Sequence, residues 1–224
     1  MFEYLARSPI APAPPVRVEA CWEVSGRRSD APLTIADHTP LAKVYLRAQW
    51  NGAMAKALGV PFGRACRIPD GPDGIVAGSG PGEWFVFALP GAAGQVADWL
   101  GTLAADSAPR EFVSVVDLTP ARALMRITGR EAAELLARLC GADLHDDMAP
   151  DGAALRSSVA GVATDIVRDD RAGVASYLLH CERSSGQYLF DAMLRAGAEF
   201  GIEIDGFRMP DALPPRKTTP EAPQ

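Results

Sequence analysis

Between residues 121 and 207 the apolar positions switch repeatedly between a period of two and a helical period, and the switches mark out strand, helix, strand, strand, helix, strand. Residues 122–127 set Ala123, Met125 and Ile127 against Arg122 and Arg126, the pattern of a strand with one buried face. Thr128 followed by Glu131 has the form of a capping box, and it predicts a helix whose stripe of Ala132, Leu135, Leu136 and Leu139 ends at Gly141. Residues 159–167 and 174–181 read as two further strands, separated by the charged turn Arg168-Asp169-Asp170-Arg171-Ala172-Gly173. Ser184 or Ser185 then caps a second helix, with Leu189, Ala192, Met193, Ala196 and Phe200 on one face, before a last short strand at 202–204. The order is βαββαβ, the split βαβ of ferredoxin-like modules.

The first half predicts the same order without a residue-level repeat. Residues 41–47 read as a strand, 51–58 as a short helix, 75–77 and 84–89 as a hairpin, 91–103 as a second helix and 112–118 as a closing strand. The expectation is therefore an α+β protein in which two ferredoxin-like (βαββαβ) modules, 18–118 and 119–207, pack into one body. Outside them, residues 1–17 and 208–224 are rich in proline, which excludes regular helix and interior strand. The C-terminal segment is polar and reads as a solvated tail. The N-terminal one carries Phe2, Tyr4, Leu5 and Ile10, whose apolar side chains need this domain or another chain to cover them, and a docking role toward a partner is the expectation.

Composition narrows the function classes. With 224 residues and a net charge of −6, the chain lacks the basic balance of a nucleic-acid binder. It holds no apolar run long enough to cross a bilayer and no signal-type N-terminus, so no membrane role and a cytoplasmic location are expected. Cys21, Cys66, Cys140 and Cys181 are widely scattered, which argues for reduced thiols and against zinc.

Candidate chemistry is sparse. Gly78-Ser79-Gly80-Pro81-Gly82 has the composition of a phosphate cradle, but it leads into another strand instead of a helix and no Walker lysine follows, so it reads as a hairpin turn. His145 with Asp146 and Asp147 follows a helix end and reads as a surface turn. Ser157, His180 and Asp165 supply the residue types of a triad without any nucleophile elbow. Asp165 alone interrupts an apolar strand. Either it points outward by simple alternation, or it is buried and needs a partner or ligand to offset its desolvation. No catalytic residue and no metal ligand emerges.

An ordered set of segments carries a family likeness: Arg7-Ser8-Pro9, Gly80-Pro81-Gly82-Glu83-Trp84, Val116-Asp117-Leu118-Thr119-Pro120-Ala121-Arg122, Ile127-Thr128-Gly129, Leu135-Leu136-Ala137-Arg138-Leu139-Cys140 with Asp143-Leu144, and Arg183-Ser184. Together they resemble the gamma subunits of heterotetrameric sarcosine oxidases, relatives of the aminomethyltransferases and their folate-binding fold. The resemblance implies a non-catalytic subunit in a complex that demethylates sarcosine or a related N-methyl amino acid such as N-methylglutamate. Its partners would be larger flavoprotein subunits, which would carry FAD, FMN, NAD and tetrahydrofolate, and this chain would hold no cofactor. Gly161-Val162-Ala163-Thr164-Asp165 is similar to the strand that positions folate in the aminomethyltransferase branch, with Thr164 in place of one acid. The alternative expectation is thus a folate-dependent one-carbon enzyme using Asp165.

Overall fold

A computed structural model describes residues 5–68 and 71–209. The chain opens with β1 (Ala6–Arg7), β2 (Val16–Glu19) and β3 (Trp22–Ser25), which form a small sheet in the order β1-β3-β2. The prolines of the opening segment lie between β1 and β2, where no ladder N–H is required of them. What reads as a tail in sequence is therefore partly a sheet. Next come β4 (Leu33–Asp37), β5 (Ala42–Arg47), α1 (Ala53–Leu58), β6 (Ala65–Arg67), β7 (Gly74–Gly80), β8 (Glu83–Ala88), α2 (Ala93–Ser107) and β9 (Ser114–Asp117). The second half supplies β10 (Arg122–Gly129), α3 (Ala132–Ala137), β11 (Ala154–Val159), β12 (Val162–Arg168), β13 (Ser176–Glu182), α4 (Gly186–Gly197) and β14 (Glu203–Ile204).

Two large mixed-order sheets result, one of five strands in the order β6-β7-β8-β5-β9 and one of six in the order β11-β12-β13-β10-β4-β14. In the first, β7-β8-β5-β9 follow the spatial order of a split βαβ, with β6 added at the edge. In the second, β12, β13 and β10 follow the same order, but β4 from the first half is inserted between β10 and β14. Residues on both sides of Leu118 thus build this sheet.

The helices and sheets stack in four layers. α3 and α4 cover one face of the six-stranded sheet, packing Leu135, Leu136, Leu189 and Met193 on Ile35, Met125, Ile127 and Leu179. α1 and α2 cover the outer face of the five-stranded sheet, with Met54, Val96 and Leu100 against Val44, Leu46, Trp84 and Val86. The two inner faces meet through Ile75, Phe85 and Phe87 on one side and Leu124, Val167 and Leu178 on the other. Each fully buried side chain of this size stabilises the fold by about 1.5–3 kcal/mol.

Two local expectations change, and the hairpin reading of the glycine-rich loop holds. The strand expected at 159–167 begins only at Val162 as β12, and a further strand, β11, precedes it, because Ala160 (φ 51°) and Gly161 (φ 83°) form a two-residue hairpin turn of the kind that matches strand twist. Thr128 stays in β10, where its hydroxyl lies 3.0 Å from that of Ser176, so no capping box forms and Glu131 takes the position before α3 without a side-chain cap. The glycine-rich loop is a tight hairpin turn: a Cβ on Gly82 (φ +73°) would stand 2.4 Å from the Ala48 carbonyl oxygen, and one on Gly78 would stand 2.3 Å from that of Pro61.

Candidate functional site

The layer between the sheets is apolar at its centre and ionisable at both ends. β12 connects the two ends. Its register sets Asp165 opposite Arg156 of β11 and His180 of β13, so these three share the inner face with Val167 and Leu178. Asp165 is buried: Arg156 Nε donates to its Oδ1 at 2.7 Å, and His180 Nε2 lies 3.5 Å from its Oδ2. The second guanidinium edge of Arg156 reaches to 4.0 Å from Glu83 on the facing sheet. His180 is packed between aromatic rings, its centroid 4.4 Å from Phe85 and 5.2 Å from Phe87.

Burial sets the charge state of this end. It raises the Asp165 carboxyl above its ordinary value despite the bond from Arg156. It pushes His180 well below the usual imidazole range, helped by the positive charges of Arg122, Lys43 and Arg156. Lys43, on β5, is wholly buried, and burial brings its ammonium down to about 7 against the attraction of Asp37 and Asp117. Its Nζ donates to the carbonyls of Thr39 and Leu41, both at 2.7 Å.

At the other end the charges are paired. Asp169, just past β12, accepts bonds from Arg67 at 2.5 Å, Arg126 at 2.8 Å and Arg171 at 2.9–3.0 Å. Burial opposes its ionisation, but the three guanidiniums outweigh it and hold the carboxyl below its ordinary value. Arg126 also donates to the Ser176 hydroxyl at 2.7 Å. This end opens into a cleft of about 210 Å³ lined by Thr34, His38, Arg126, Thr128, Arg171 and Arg208, among others.

Of the residues singled out in sequence, Asp165 and His180 come together, whereas Ser157 alternates to the opposite face of β11 from Arg156, so no triad assembles. His145 lies in an exposed turn, as expected. No cluster of three or more metal-ligating side chains occurs among the described residues. Phe2 and Tyr4 lie outside the described residues. Leu5 is 44% exposed, but Ile10 is packed into the core beneath α4, so its apolar demand is met within the chain. The sequence reading missed Lys43, His38, Arg126 and Asp169. Arg126 alternates with Met125 and Ile127 like a solvent-facing residue, and only the second sheet reveals that its face is covered.

The chain that builds these layers matches a known family. Residues 71–214, more than half of the chain, match the family described as the GCVT N-terminal domain, and the chain belongs to it. Among solved structures it is similar to a chain of the heterotetrameric sarcosine oxidase from Corynebacterium sp. U-96, solved in complex with pyrrole 2-carboxylate. That match has a TM-score of 0.63 and 23% identity and covers 77% of this chain and 88% of the other. The glycine cleavage system aminomethyltransferase T from Bartonella henselae is also similar, with a TM-score of 0.67 and 14% identity over 90% of this chain, which spans 60% of that enzyme's length. At these identities the likeness shows the fold. No curated protein sequence matches the chain significantly.

Proposed function

We propose that this chain is a gamma-type, non-catalytic subunit of a sarcosine oxidase-type complex that oxidatively demethylates sarcosine or a related N-methyl amino acid. The observation that carries the reading is the likeness to a chain of a heterotetrameric oxidase that is covered over 88% of its length. The geometry supports it, since Asp165 is already held by Arg156, while His180 and Lys43 are sealed under Phe85 and Phe87 or between backbone carbonyls. Large apolar side chains stay uncovered in the chain alone, among them Leu5, Trp50, Phe62 and, at 86% exposure, Phe112. In this reading the flavoprotein partners carry FAD, FMN, NAD and tetrahydrofolate, and this chain completes their assembly in the cytoplasm.

Co-expression with the flavoprotein subunits tests it. A stable complex with raised thermal stability of this chain, and no turnover of N-methyl amino acids by the chain alone, is expected. Failure to associate, with the chain monomeric and indifferent to the flavoproteins, would remove the proposal. Saturable tetrahydrofolate binding that is lost in Asp165→Ala with the fold intact would replace it with a one-carbon enzyme.

A further inference from the structure

Two buried side chains that line the cleft at the Asp169 end each carry a polar atom without a protein partner. Arg126 is 7% exposed and spends its terminal nitrogens on Asp169 and Ser176, but its Nε has no partner. His38 is 8% exposed, stands edge-on to Phe207 and has an unpartnered Nδ1. Both line the same 210 Å³ space, together with the hydroxyl-bearing Thr34 and Thr128. A buried polar group without a partner costs about 1–3 kcal/mol, so two such side chains on one cleft point to something that fills it.

Charge says what kind of group. Arg126 and Arg171 line the cleft and share the single carboxylate of Asp169 with Arg67, which approaches from outside the cleft. Arg208 also lines the cleft, but Asp205 beside it already pairs with that guanidinium. The wall therefore carries surplus positive charge. Burial and the charges of Arg126 and Arg171 keep His38 neutral, so its ring still has one N–H to donate. We infer that this cleft is a binding site for a small carboxylate, one oxygen facing Arg126 Nε and the other His38 Nδ1, within reach of the Thr34 and Thr128 hydroxyls. Charge-assisted bonds of this kind are roughly twice as strong as neutral ones.

Titration calorimetry of the full chain with acetate, and separately with inorganic phosphate, tests the assignment, with the His38 ring followed by NMR. Acetate is expected to bind saturably and to shift the His38 ring resonances. Arg126→Lys keeps the charge on Asp169 but removes the Nε donor, and it should weaken acetate at least tenfold. Arg171→Gln, at a more exposed position, should weaken it severalfold with the melting temperature recording that the chain is folded. No saturable heat from acetate up to about 10 mM would mean that water alone occupies the cleft and would overturn the inference. Phosphate binding without acetate binding would overturn the carboxylate assignment, as would acetate affinity unchanged in both variants.

Discussion

The two ends of the inter-sheet layer bury ionisable groups by opposite means. At the Asp169 end the charges are kept and paired, one carboxylate among three guanidiniums, and the carboxyl is held below its ordinary value. At the Asp165 end the groups are pushed toward neutrality: Asp165 upward, His180 well downward and Lys43 to about 7. Only four positions of one strand and its following turn separate the two acids. The difference teaches that burial depth alone does not define a site. The paired end is where donors outnumber acceptors and a cavity opens, and the neutralised end is sealed by aromatic rings.

The largest effect is expected from Asp169→Asn. Removing the shared carboxylate leaves Arg67, Arg126 and Arg171 facing one another with Arg126 buried, and breaking a buried network of this kind costs about 3–5 kcal/mol. Because the folded-state value of Asp169 lies below 3.8, its contribution is present above that pH and is lost as pH falls through the folded value. Urea unfolding of the variant should therefore show a lower midpoint at neutral pH and a shallower acid limb. A midpoint matching the parent would erase the contrast between the two ends.

Lys43→Met probes the opposite strategy. The native ammonium gives up its proton near pH 7 and the unfolded one near 10.5, so between those values the unfolded chain binds more protons and stability rises with pH. The slope is at most about 1.4 kcal/mol per pH unit. The variant should lose that rise, and at pH 7 the charge desolvation it avoids offsets the two hydrogen bonds it gives up at the Thr39 and Leu41 carbonyls. A parent whose stability is flat across this window would show that Lys43 is buried charged, as at the Asp169 end.

The strand and helix content of both halves was legible because each element carries its own period: β5, β8, β10, β13, α2 and α4 lie where alternation or a helical stripe places them. What was not legible depends on long-range pairing. β4 offers only Leu33-Thr34-Ile35-Ala36-Asp37, too short to distinguish from a loop until β10 and β14 flank it. The β11–β12 turn hides in a run of small residues, since Ala160 with a left-handed backbone has no side-chain signal. Asp165 is visible as an anomaly, but its partner Arg156 sits on β11, which precedes the strand expected at 159–167 and is not itself expected, so the ion pair is out of reach. The cleft was hidden for the same reason: His38 and Arg126 are far apart in sequence and meet only because β4 lies beside β10.

The smallest effect is expected from Asp165→Asn, and it sharpens the comparison most. The bond to Asp165 raises the Arg156 guanidinium, yet the carboxyl itself rises as well because its desolvation exceeds what that bond restores. An acid whose folded value lies above 3.8 contributes less stability once it ionises, so its native penalty appears as pH climbs past that point and persists at neutral pH. Asparagine removes the penalty and keeps an oxygen for Arg156, whose side chain is 47% exposed and is solvated if the contact weakens. The two changes offset, and the stability difference at pH 7 should lie within about 1 kcal/mol. A loss as large as that from Asp169→Asn would mean that both ends are held by paired charge. A silent stability change combined with loss of a measured tetrahydrofolate affinity would instead show that Asp165 is kept for a ligand and not for the fold.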